Sequence, residues 1–275
     1  MGTENVLYDA DGAVATLTLN RPQYRNAQSY DLLDELDAKL DRAMADRSIK
    51  VIIVRGSGGN FSSGHDLGTP EQAAWREKRQ LPASGIEYYD NFRHYNFDIT
   101  HKWRNLPKPT IAMVEGYCIY GGWMIAASMD LVFAAEEALF LAGQVEYFSL
   151  CYDLGVRKAK ELMFESRFIT AEEGRELGFV NRVYPAAELA GETGSYARRV
   201  AEGSSMALRM AKLAANKAQD QMGFSNSVEN AFADYLVMAQ NRGTGRVEGQ
   251  RRLGGVDLAM RGLRGERPGL KPEDA

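Results

Sequence analysis

Two glycine-rich loops hold the residues best suited to chemistry in this sequence. The first, residues 116–125, contains Gly121-Gly122 and follows the apolar run 110–114. A helix-compatible segment begins at these glycines, and the first amides of a helix lack internal acceptors and carry partial positive charge. They therefore suit an oxygen that becomes negative during a reaction. A tight turn selected for packing has the same pattern, so this loop alone leaves both interpretations open.

The second loop, residues 55–67, is rich in glycine and serine, includes His65, and also follows an apolar run, residues 51–54. Loops at the ends of neighbouring strands can aim two backbone amides at one point, which is the geometry of an oxyanion hole. For glycine and serine in isolation, a flexible surface loop is the commoner explanation. The occurrence of two such loops, each after a buried strand, favours the catalytic interpretation.

The composition argues against several other classes of protein. Of the 275 residues, 45% are apolar and 25% are charged, and the net charge of −4 comes with no basic cluster that would bind nucleic acid. The N-terminus shows no secretory signal pattern, and no apolar run approaches the ~18 residues of a membrane span. The cysteines and histidines are too few and too scattered for a disulfide framework or a metal site: Cys118, Cys151, His65, His94 and His101. We expect a cytoplasmic enzyme that contacts neither membrane nor nucleic acid.

The periodicity of apolar residues predicts an α/β core followed by a helical C-terminal portion. Residues 14–19 alternate in polarity, as in a strand with one solvated face, and a helix begins at Ser29. The β-branched run 51–54 completes a strand, helix, strand unit. Further strands are predicted at 110–114, 131–134, 139–141 and 179–184, and helices at 156–165, 187–202, 206–221, 224–240 and 247–261.

Aromatic side chains cluster in residues 70–105, a polar and partly helical segment. Aromatics packed this closely form either core or the wall of an apolar pocket. We favour a pocket wall, because the segment follows directly on the second glycine-rich loop. The cluster comprises Tyr88, Tyr89, Phe92, Tyr95, Phe97 and Trp103.

Several short motifs, in order along most of the chain, resemble the crotonase superfamily, the enoyl-CoA hydratase/isomerase family. They are Asn20-Arg-Pro with Arg25-Asn-Ala27, residues 61–67, residues 106–116, Gly121-Gly122, Asp130-Leu131 and residues 169–181. The resemblance implies a crotonase-like spiral of ββα turns that carries the acyl-CoA site over residues 1–200. It also implies a C-terminal helical trimerisation region over residues 201–275, and a homotrimer or a dimer of trimers.

The resemblance further implies an acyl-CoA thioester as substrate, with coenzyme A as part of that substrate and no other cofactor. The oxyanion-hole amides would be those of His65 and Gly121, and losing one such donor typically costs ~2.7–4 kcal/mol of barrier. Asp66 is also expected to bind amides of its own loop. The residues expected along the substrate are Arg25 near the CoA phosphates, the loop residues Ser63, Gly64, Asp66 and Leu67, and the acyl-pocket residues Tyr88, Tyr120 and Met124.

The sequence departs from the hydratase pattern at both positions where hydratases carry a catalytic glutamate. The first position is Met124, whose thioether cannot transfer a proton. The second is Gly143, Gln144 or missing, because the segment after Phe140 is short, and Glu146 is the nearest carboxylate. These departures argue against a two-glutamate hydration mechanism.

The acid–base candidates that remain are His65, Glu146 and Tyr147, beside the Gly121 amide. Imidazoles titrate near neutral pH, which suits proton transfer, although the side chain of His65 could instead cap its loop. Glu146 and Tyr147 could act on the substrate or pack at a helix start. Tyr120 could narrow the pocket or donate a hydrogen bond.

We therefore expect an enzyme that acts on an acyl-CoA through an enolate, and the aromatic wall favours a bulky or ring-containing acyl group. Hydration, double-bond isomerisation and C–C cleavage with water all remain open. The alternatives are a catalytically inactive acyl-CoA-binding protein and a purely structural subunit of a larger complex.

Overall fold

The computed structural model describes residues 4–80, 84–240 and 254–267. The strands are β1 (Val6–Asp11), β2 (Val14–Leu19), β3 (Val51–Gly56), β4 (Thr110–Val114), β5 (Tyr117–Ile119), β6 (Leu131–Ala135), β7 (Leu139–Leu141), β8 (Ile169–Thr170) and β9 (Arg182–Tyr184). The helices are α1 (Tyr30–Ala45), α2 (Pro70–Lys78), α3 (Ile86–Arg93), α4 (Ile99–Arg104), α5 (Gly121–Ser128), α6 (Leu150–Leu154), α7 (Val156–Glu165), α8 (Ala171–Glu176), α9 (Ala186–Ala201), α10 (Ser205–Gln221), α11 (Phe224–Gln240) and α12 (Gly255–Leu263).

The larger sheet has the order β1-β2-β3-β4-β6-β9, in which β1 is antiparallel to β2 and the remaining neighbours are parallel. Parallel strands are normally covered on both faces, and here the apolar side chains divide into one cluster for each face. The leucines of α1 pack on one face and the buried residues of α9 on the other. The predicted α/β core is confirmed, including the helix start, where the Ser29 hydroxyl accepts a hydrogen bond from the Leu32 amide.

The smaller sheet has the order β5-β7-β8, and its first strand lies inside the glycine-rich stretch 116–125. The sequence predicted only a turn leading into a helix here, so β5 was not expected. Left-handed backbone at Gly116 (φ 54°) and Tyr120 (φ 46°) turns the chain on each side of the short apolar strand. The stretch is therefore two turns with a strand between them.

The last predicted strand, residues 179–184, is shorter than expected, because β9 begins at Arg182. The amides of Phe179 and Val180 both donate to the carbonyl of Gly174 and so terminate α8. These amides are not available for pairing with β6, which explains the late start of the strand.

The C-terminal helices differ in how they contact the core. α10 has no buried residue, whereas α11 buries Phe224, Val228 and Phe232 against the core. α12 buries Ala259 beside Ile119. The start of the helix predicted at 247–261 falls outside the described residues. A division into domains at residue 200 stays a prediction. In the described ranges, no helix is long and apolar enough to cross a membrane.

Candidate active site

The two glycine-rich loops meet at the ends of the neighbouring strands β3 and β4, as predicted. Parallel bridges join Gln28 to His65 and Ser62 to Cys118. Gly64 has a positive φ of 92°, and a Cβ atom there would lie 3.3 Å from the Gly121 nitrogen. The backbone around His65 and the start of α5 are therefore in direct contact.

The amides of His65 and Gly121 donate to no acceptor within the described ranges, while the amides directly before them are engaged. The Gly64 amide donates to the Ser62 hydroxyl at 3.2 Å, and the Tyr120 amide donates to the Leu141 carbonyl at 3.0 Å. Gly121 is the first residue of α5, so the partial positive charge of the helix start adds to its amide. Two neighbouring amides are thus left to bind a common oxygen.

Gly121 has no space for a side chain. A Cβ atom at this position would overlap Nδ1 of His65 and would lie 2.7 Å from Oε1 of Gln28. Gln28 is buried, and its Nε2 donates to the Ser62 hydroxyl at 3.2 Å. The sequence analysis missed Gln28, although it directly follows the Arg25-Asn-Ala27 motif. Its side chain and the imidazole together hold the α-carbon of Gly121 in place.

His65 and Glu146 face each other across the site. Nε2 of His65 lies 3.8 Å from Oε2 of Glu146, and Glu146 is only 5% exposed. The same Nε2 is buried and makes no hydrogen bond within the described part of the chain. An imidazole and a carboxylate this close, and largely shielded from water, can exchange a proton with a bound molecule.

Which residue corresponds to the second hydratase glutamate stays a prediction, but the segment after Phe140 brings one carboxylate to His65. Gln144 is exposed, and a Cβ atom at Gly143 would lie 2.6 Å from the ring of Tyr120. Gly143 and Gln144 have no carboxylate, and it is the carboxylate of Glu146 that approaches His65. The shortened segment therefore places a glutamate opposite the glycine loops.

Tyr147 is 1% exposed and packs between Phe97 of the π-helical turn His94–Asp98 and Phe224 of α11, with ring centroids 6.1 Å away in each case. Its hydroxyl has no hydrogen-bond partner within the described residues. Burial raises the pKa of this hydroxyl well above its usual value. At neutral pH Tyr147 can therefore donate a hydrogen bond but cannot act as a base.

Met124 lies at the centre of an apolar wall and is 3% exposed. Its cluster joins the first turn of α5 to the aromatic segment and to α11. Buried members are Phe97, Val145, Tyr147, Phe224, Val228 and Phe232, with Tyr89, Phe92, Tyr120, Tyr152 and Leu236 packed against them. The position that carries a glutamate in hydratases is thus enclosed by hydrocarbon, where an unpaired carboxylate would be strongly disfavoured.

The pocket wall stays a prediction, and two of the predicted aromatic residues lie away from the buried part of the Met124 cluster. Tyr88 is 43% exposed and stacks on Phe92 at the edge of the cluster. Tyr95 lies elsewhere, because its ring stacks on Tyr30 and its hydroxyl donates to Asp34. Residues two positions apart on a helix point to nearly opposite sides, which separates Tyr95 from Phe97.

Tyr120, in the first glycine-rich loop, fills the space between Gly143 and α12. A Cβ atom at Gly255 would overlap its hydroxyl, just as one at Gly143 would contact its ring. A cavity of about 10 Å³ remains beside it, lined by Trp123, Val145, Tyr147 and neighbouring residues. Both predicted roles of Tyr120, narrowing the pocket and donating a hydrogen bond, stay predictions.

Asp66 binds its own loop, as expected. Its carboxylate accepts hydrogen bonds from the amides of Gly68 (3.0 Å) and Thr69 (2.8 Å) and pairs with buried Arg21 at 2.8 Å. Burial alone would raise the pKa of this carboxyl, but the hydrogen bonds from Thr69, Gly68 and Arg21 hold it below its usual value. With its oxygens occupied, Asp66 fixes the loop that presents the His65 amide.

The remaining predicted substrate residues lie around this loop. Arg25 has left-handed backbone (φ 48°), and its guanidinium lies over the ring of Tyr117, 5.8 Å from the centroid. The Ser63 hydroxyl donates to the Tyr24 carbonyl at 3.2 Å. Leu67 is 95% exposed, so it forms part of the outer surface of the loop.

A larger cavity, of about 670 Å³, lies between α10 and the sheet. His65, Gly121 and Glu146 are not among its lining residues, so it is distinct from the site described above. No group of three or more histidine, cysteine, aspartate or glutamate side chains within the described ranges is arranged to hold a metal ion.

Comparison with known proteins gives consistent matches. The family profile described as Enoyl-CoA hydratase/isomerase matches residues 9–234. EchA13 of Mycobacterium tuberculosis, an enoyl-CoA hydratase by name, is 38% identical over 244 residues, which are 81% of this chain and 76% of that protein. The crystal structure of a probable enoyl-CoA hydratase from Mycobacterium smegmatis has a TM-score of 0.77 at 39% identity and covers 84% of this chain and 92% of its own. The crystal structure of a monofunctional enoyl-CoA isomerase from M. smegmatis has a TM-score of 0.64 at 27% identity and covers 79% of this chain and 95% of its own.

Proposed function

Because the chain belongs to the enoyl-CoA hydratase/isomerase family, we propose that it converts an acyl-CoA thioester through an enolate stabilised by the amides of His65 and Gly121. It is an enzyme of this family with the crotonase fold, as the sequence motifs predicted. The observation that supports this proposal is that these two neighbouring amides have no acceptor in the described part of the chain. Each such donor typically lowers the barrier by ~2.7–4 kcal/mol.

In the proposed mechanism, His65 and Glu146 form the acid–base pair. Glu146 accepts a proton from the α-carbon, and the electron pair of the broken C–H bond moves through the carbonyl onto the thioester oxygen. The enolate then collapses as the proton is returned to the γ-carbon, which shifts the double bond and leaves the composition unchanged. Nε2 of His65, 3.8 Å from Oε2 of Glu146, faces the same carboxylate and is the second polar group of the pair.

Double-bond isomerisation is the reaction that this arrangement supports best. It needs one proton carrier on one face of the acyl group, and the single His65–Glu146 pair beside the glycine loops in the described residues supports this reaction. Met124, at the position expected to carry the first of the two hydratase glutamates, is surrounded by apolar side chains. Hydration is the second candidate, because the two relatives at 38% and 39% identity are named as hydratases.

The aromatic wall supports an acyl group that is bulky or contains a ring. Phe92 stacks on Phe232 with centroids 6.2 Å apart, and Phe97 lies 5.1 Å from the same ring. Tyr88, 43% exposed at the edge of this cluster, leaves a flat apolar face on which a ring can stack, whereas a short linear chain would contact it over a smaller area. Arg25 and the exposed Leu67 lie on the side where the CoA portion is proposed to bind.

A homotrimer, or a dimer of trimers, is part of the same proposal. α10 exposes Met206 (67%), Met210 (45%) and Leu213 (42%) along one face. Residues spaced by three and four positions form a continuous stripe on a helix, and an exposed apolar stripe favours contact with another chain. A second copy of this chain is the proposed partner, and sedimentation of the wild type against Met210→Glu tests this contact. The cytoplasm stays the expected compartment.

The proposed reaction is tested with a panel of acyl-CoA thioesters that differ in double-bond position and in the size of the acyl group. Isomerisation of a β,γ-unsaturated substrate leaves the mass unchanged and raises the absorbance of the conjugated thioester. Hydration of an α,β-unsaturated substrate adds the mass of one water. We expect conversion without mass change, fastest for ring-containing acyl groups.

The other outcomes identify the alternatives. Addition of water would replace isomerisation by hydration, and cleavage into two products would indicate C–C hydrolysis. Saturable binding of the panel without any product would show an inactive acyl-CoA-binding protein. Absence of both binding and conversion would overturn the proposal altogether.

A further inference from the structure

One carboxylate links the two halves of the proposed site. Oδ2 of Asp153, on α6, accepts a hydrogen bond from the Ser149 hydroxyl at 2.7 Å and another from the indole Nε1 of Trp123 at 3.3 Å. Asp153 is partly buried, and neither the sequence motifs nor the proposed mechanism involve it. Its two donors belong to different elements, so the carboxylate connects those elements directly.

Trp123 is the hydrogen-bond donor to Asp153 that lies beside the proposed oxyanion donors. It lies two residues after Gly121, within the first turn of α5. Its ring is 4% exposed, stacks on Phe179 with centroids 4.2 Å apart, and meets Phe140 edge-on at 5.9 Å. Because these contacts hold the ring on two sides, a displacement of its Nε1 atom would also displace the backbone of α5. The hydrogen bond to Asp153 therefore restrains the helix start that presents the Gly121 amide.

Ser149 places the other end at the acid–base pair. It is 2% exposed and follows Glu146 by three residues, at the point where the irregular segment after β7 enters α6. The amides of Tyr152 and Asp153 donate to the Ser149 carbonyl at 2.7 and 3.2 Å. Side chain and backbone together close this turn, so Asp153 fixes the end of the segment that carries Glu146.

No cation neutralises this carboxylate within the described residues. Lys212 and Arg104, which line the adjoining cavity, are paired with Asp130 at 2.9 Å and Asp220 at 3.2 Å respectively. Burial raises the pKa of Asp153 to about 6, even though its two hydrogen bonds act in the opposite direction.

The other titratable groups that sense this carboxylate are Cys151 and Tyr147. Burial first, and then the charge of Asp153, raises the pKa of the Cys151 thiol. Burial is also the main cause of the raised pKa of Tyr147, where Arg104 acts in the opposite direction and Asp153 adds a smaller increase. Both groups are therefore neutral at neutral pH. A carboxylate left unpaired beside neutral groups is unfavourable for stability, which is typical of groups retained for function.

We infer that Asp153 is a positioning residue: its ionised carboxylate ties the α5 start to the Glu146 segment and so sets the distance between the oxyanion donors and the base. The inference rests on the proposed function. Misplacement of reacting groups by about 1 Å can cost about 10²-fold in rate, so a link of this kind acts on kcat rather than on binding.

Three variants test the link. Asp153→Asn removes the charge and keeps the size of the side chain, and Trp123→Phe removes the indole donor and keeps an aromatic ring. Asp46→Asn is the matched control, because it makes the same change at an exposed carboxylate that accepts from the Ser48 amide at 2.8 Å and contacts neither α5 nor α6. We expect kcat to fall about tenfold or more in the first two variants, with KM and the Kd of a non-reactive CoA thioester within about threefold of wild type. Asp46→Asn retains wild-type kcat.

A spectroscopic readout makes the inference independent of turnover. The protein has three tryptophans, and the Trp123 indole is the one bonded to Asp153. We expect its fluorescence to titrate with an inflection near pH 6 in the wild type and to lose that inflection in Asp153→Asn. A wild type that converts no acyl-CoA overturns the proposed function. A folded Asp153→Asn enzyme with wild-type kcat and an unchanged fluorescence titration overturns the inference alone.

Discussion

The two sides of the proposed site present different kinds of chemical group. On one side, the His65 and Gly121 loops present backbone amides, and these two amides donate to no acceptor within the described residues. On the other side, Met124 and Glu146 present side chains from a helix and a shortened segment. The backbone side has the glycines expected from the family resemblance, whereas the side-chain side has methionine where that resemblance predicts a glutamate. Stabilisation of the enolate and transfer of the proton are therefore separable features of this chain.

The largest expected effect is on the backbone side. Gly121→Ala places a methyl group against the His65 imidazole and the Gln28 amide, so the loops separate and the two amides no longer share one oxygen. We expect kcat to fall by about 10²–10³-fold, the loss typical of one oxyanion-hole donor. Steady-state kinetics measure the loss. Gly191→Ala on α9 is the control, since a Cβ atom there meets nothing within 4 Å. Full activity of folded Gly121→Ala would contradict the assigned oxyanion hole.

The next effect is on the proton-transfer side. Glu146→Gln keeps the volume of the side chain and removes the base, so kcat should fall by about 10²–10⁴-fold with little change in KM. Glu137→Gln, an exposed glutamate in the turn before β7, is the control and should behave as wild type. Binding of a saturated acyl-CoA, measured by calorimetry, is expected to survive in both variants.

His65→Ala separates the imidazole from the amide of the same residue, because the substitution keeps the backbone donor. We expect a smaller loss in kcat than for Glu146→Gln, about tenfold to 10²-fold. The double variant His65→Ala/Glu146→Gln should be no slower than Glu146→Gln alone, since the losses in rate from two groups that act as one unit do not add. Losses that multiply in the double variant would show that the imidazole and the carboxylate act independently.

The smallest effect should come from Met124. Met124→Leu conserves apolar volume in a site that is 3% exposed, so we expect kcat within about threefold and a stability change below about 1.5 kcal/mol. Urea denaturation and kinetics measure both quantities. A large loss of kcat with unchanged stability would mean that the thioether itself contacts the reacting atoms, and the apolar role assigned to Met124 would be wrong.

The comparison also shows what the sequence could predict. The backbone side was predictable because glycines after β-branched runs define where strands end and where amides become free. Glu146 was harder to place, since a shortened irregular segment has no periodicity that fixes the direction of its side chains. Gln28 and Asp153 were missed because their roles depend on neighbours far away in sequence, Gly121 and Trp123. Tyr95 was misassigned because helical geometry, which the aromatic spacing does not reveal, turns it toward Asp34.

The element boundaries show the same division. α1 and the buried strands were predicted from periodicity and capping, and the structure confirms them. β5 escaped prediction because three residues between two turns give too short a pattern. β9 was predicted too long because the amides that end α8 are committed to Gly174, which only the folded chain reveals.

Exchange of the substrate α-proton in deuterated water tests the central claim most directly. A saturated acyl-CoA cannot be isomerised or hydrated, yet the proposed enolate would still form and collapse on it. We predict that the wild type incorporates deuterium at the α-carbon, that Glu146→Gln does so at least about 10²-fold more slowly, and that Glu137→Gln matches the wild type. Exchange at the wild-type rate in folded Glu146→Gln would contradict the account, because the proton would then be taken by a different group.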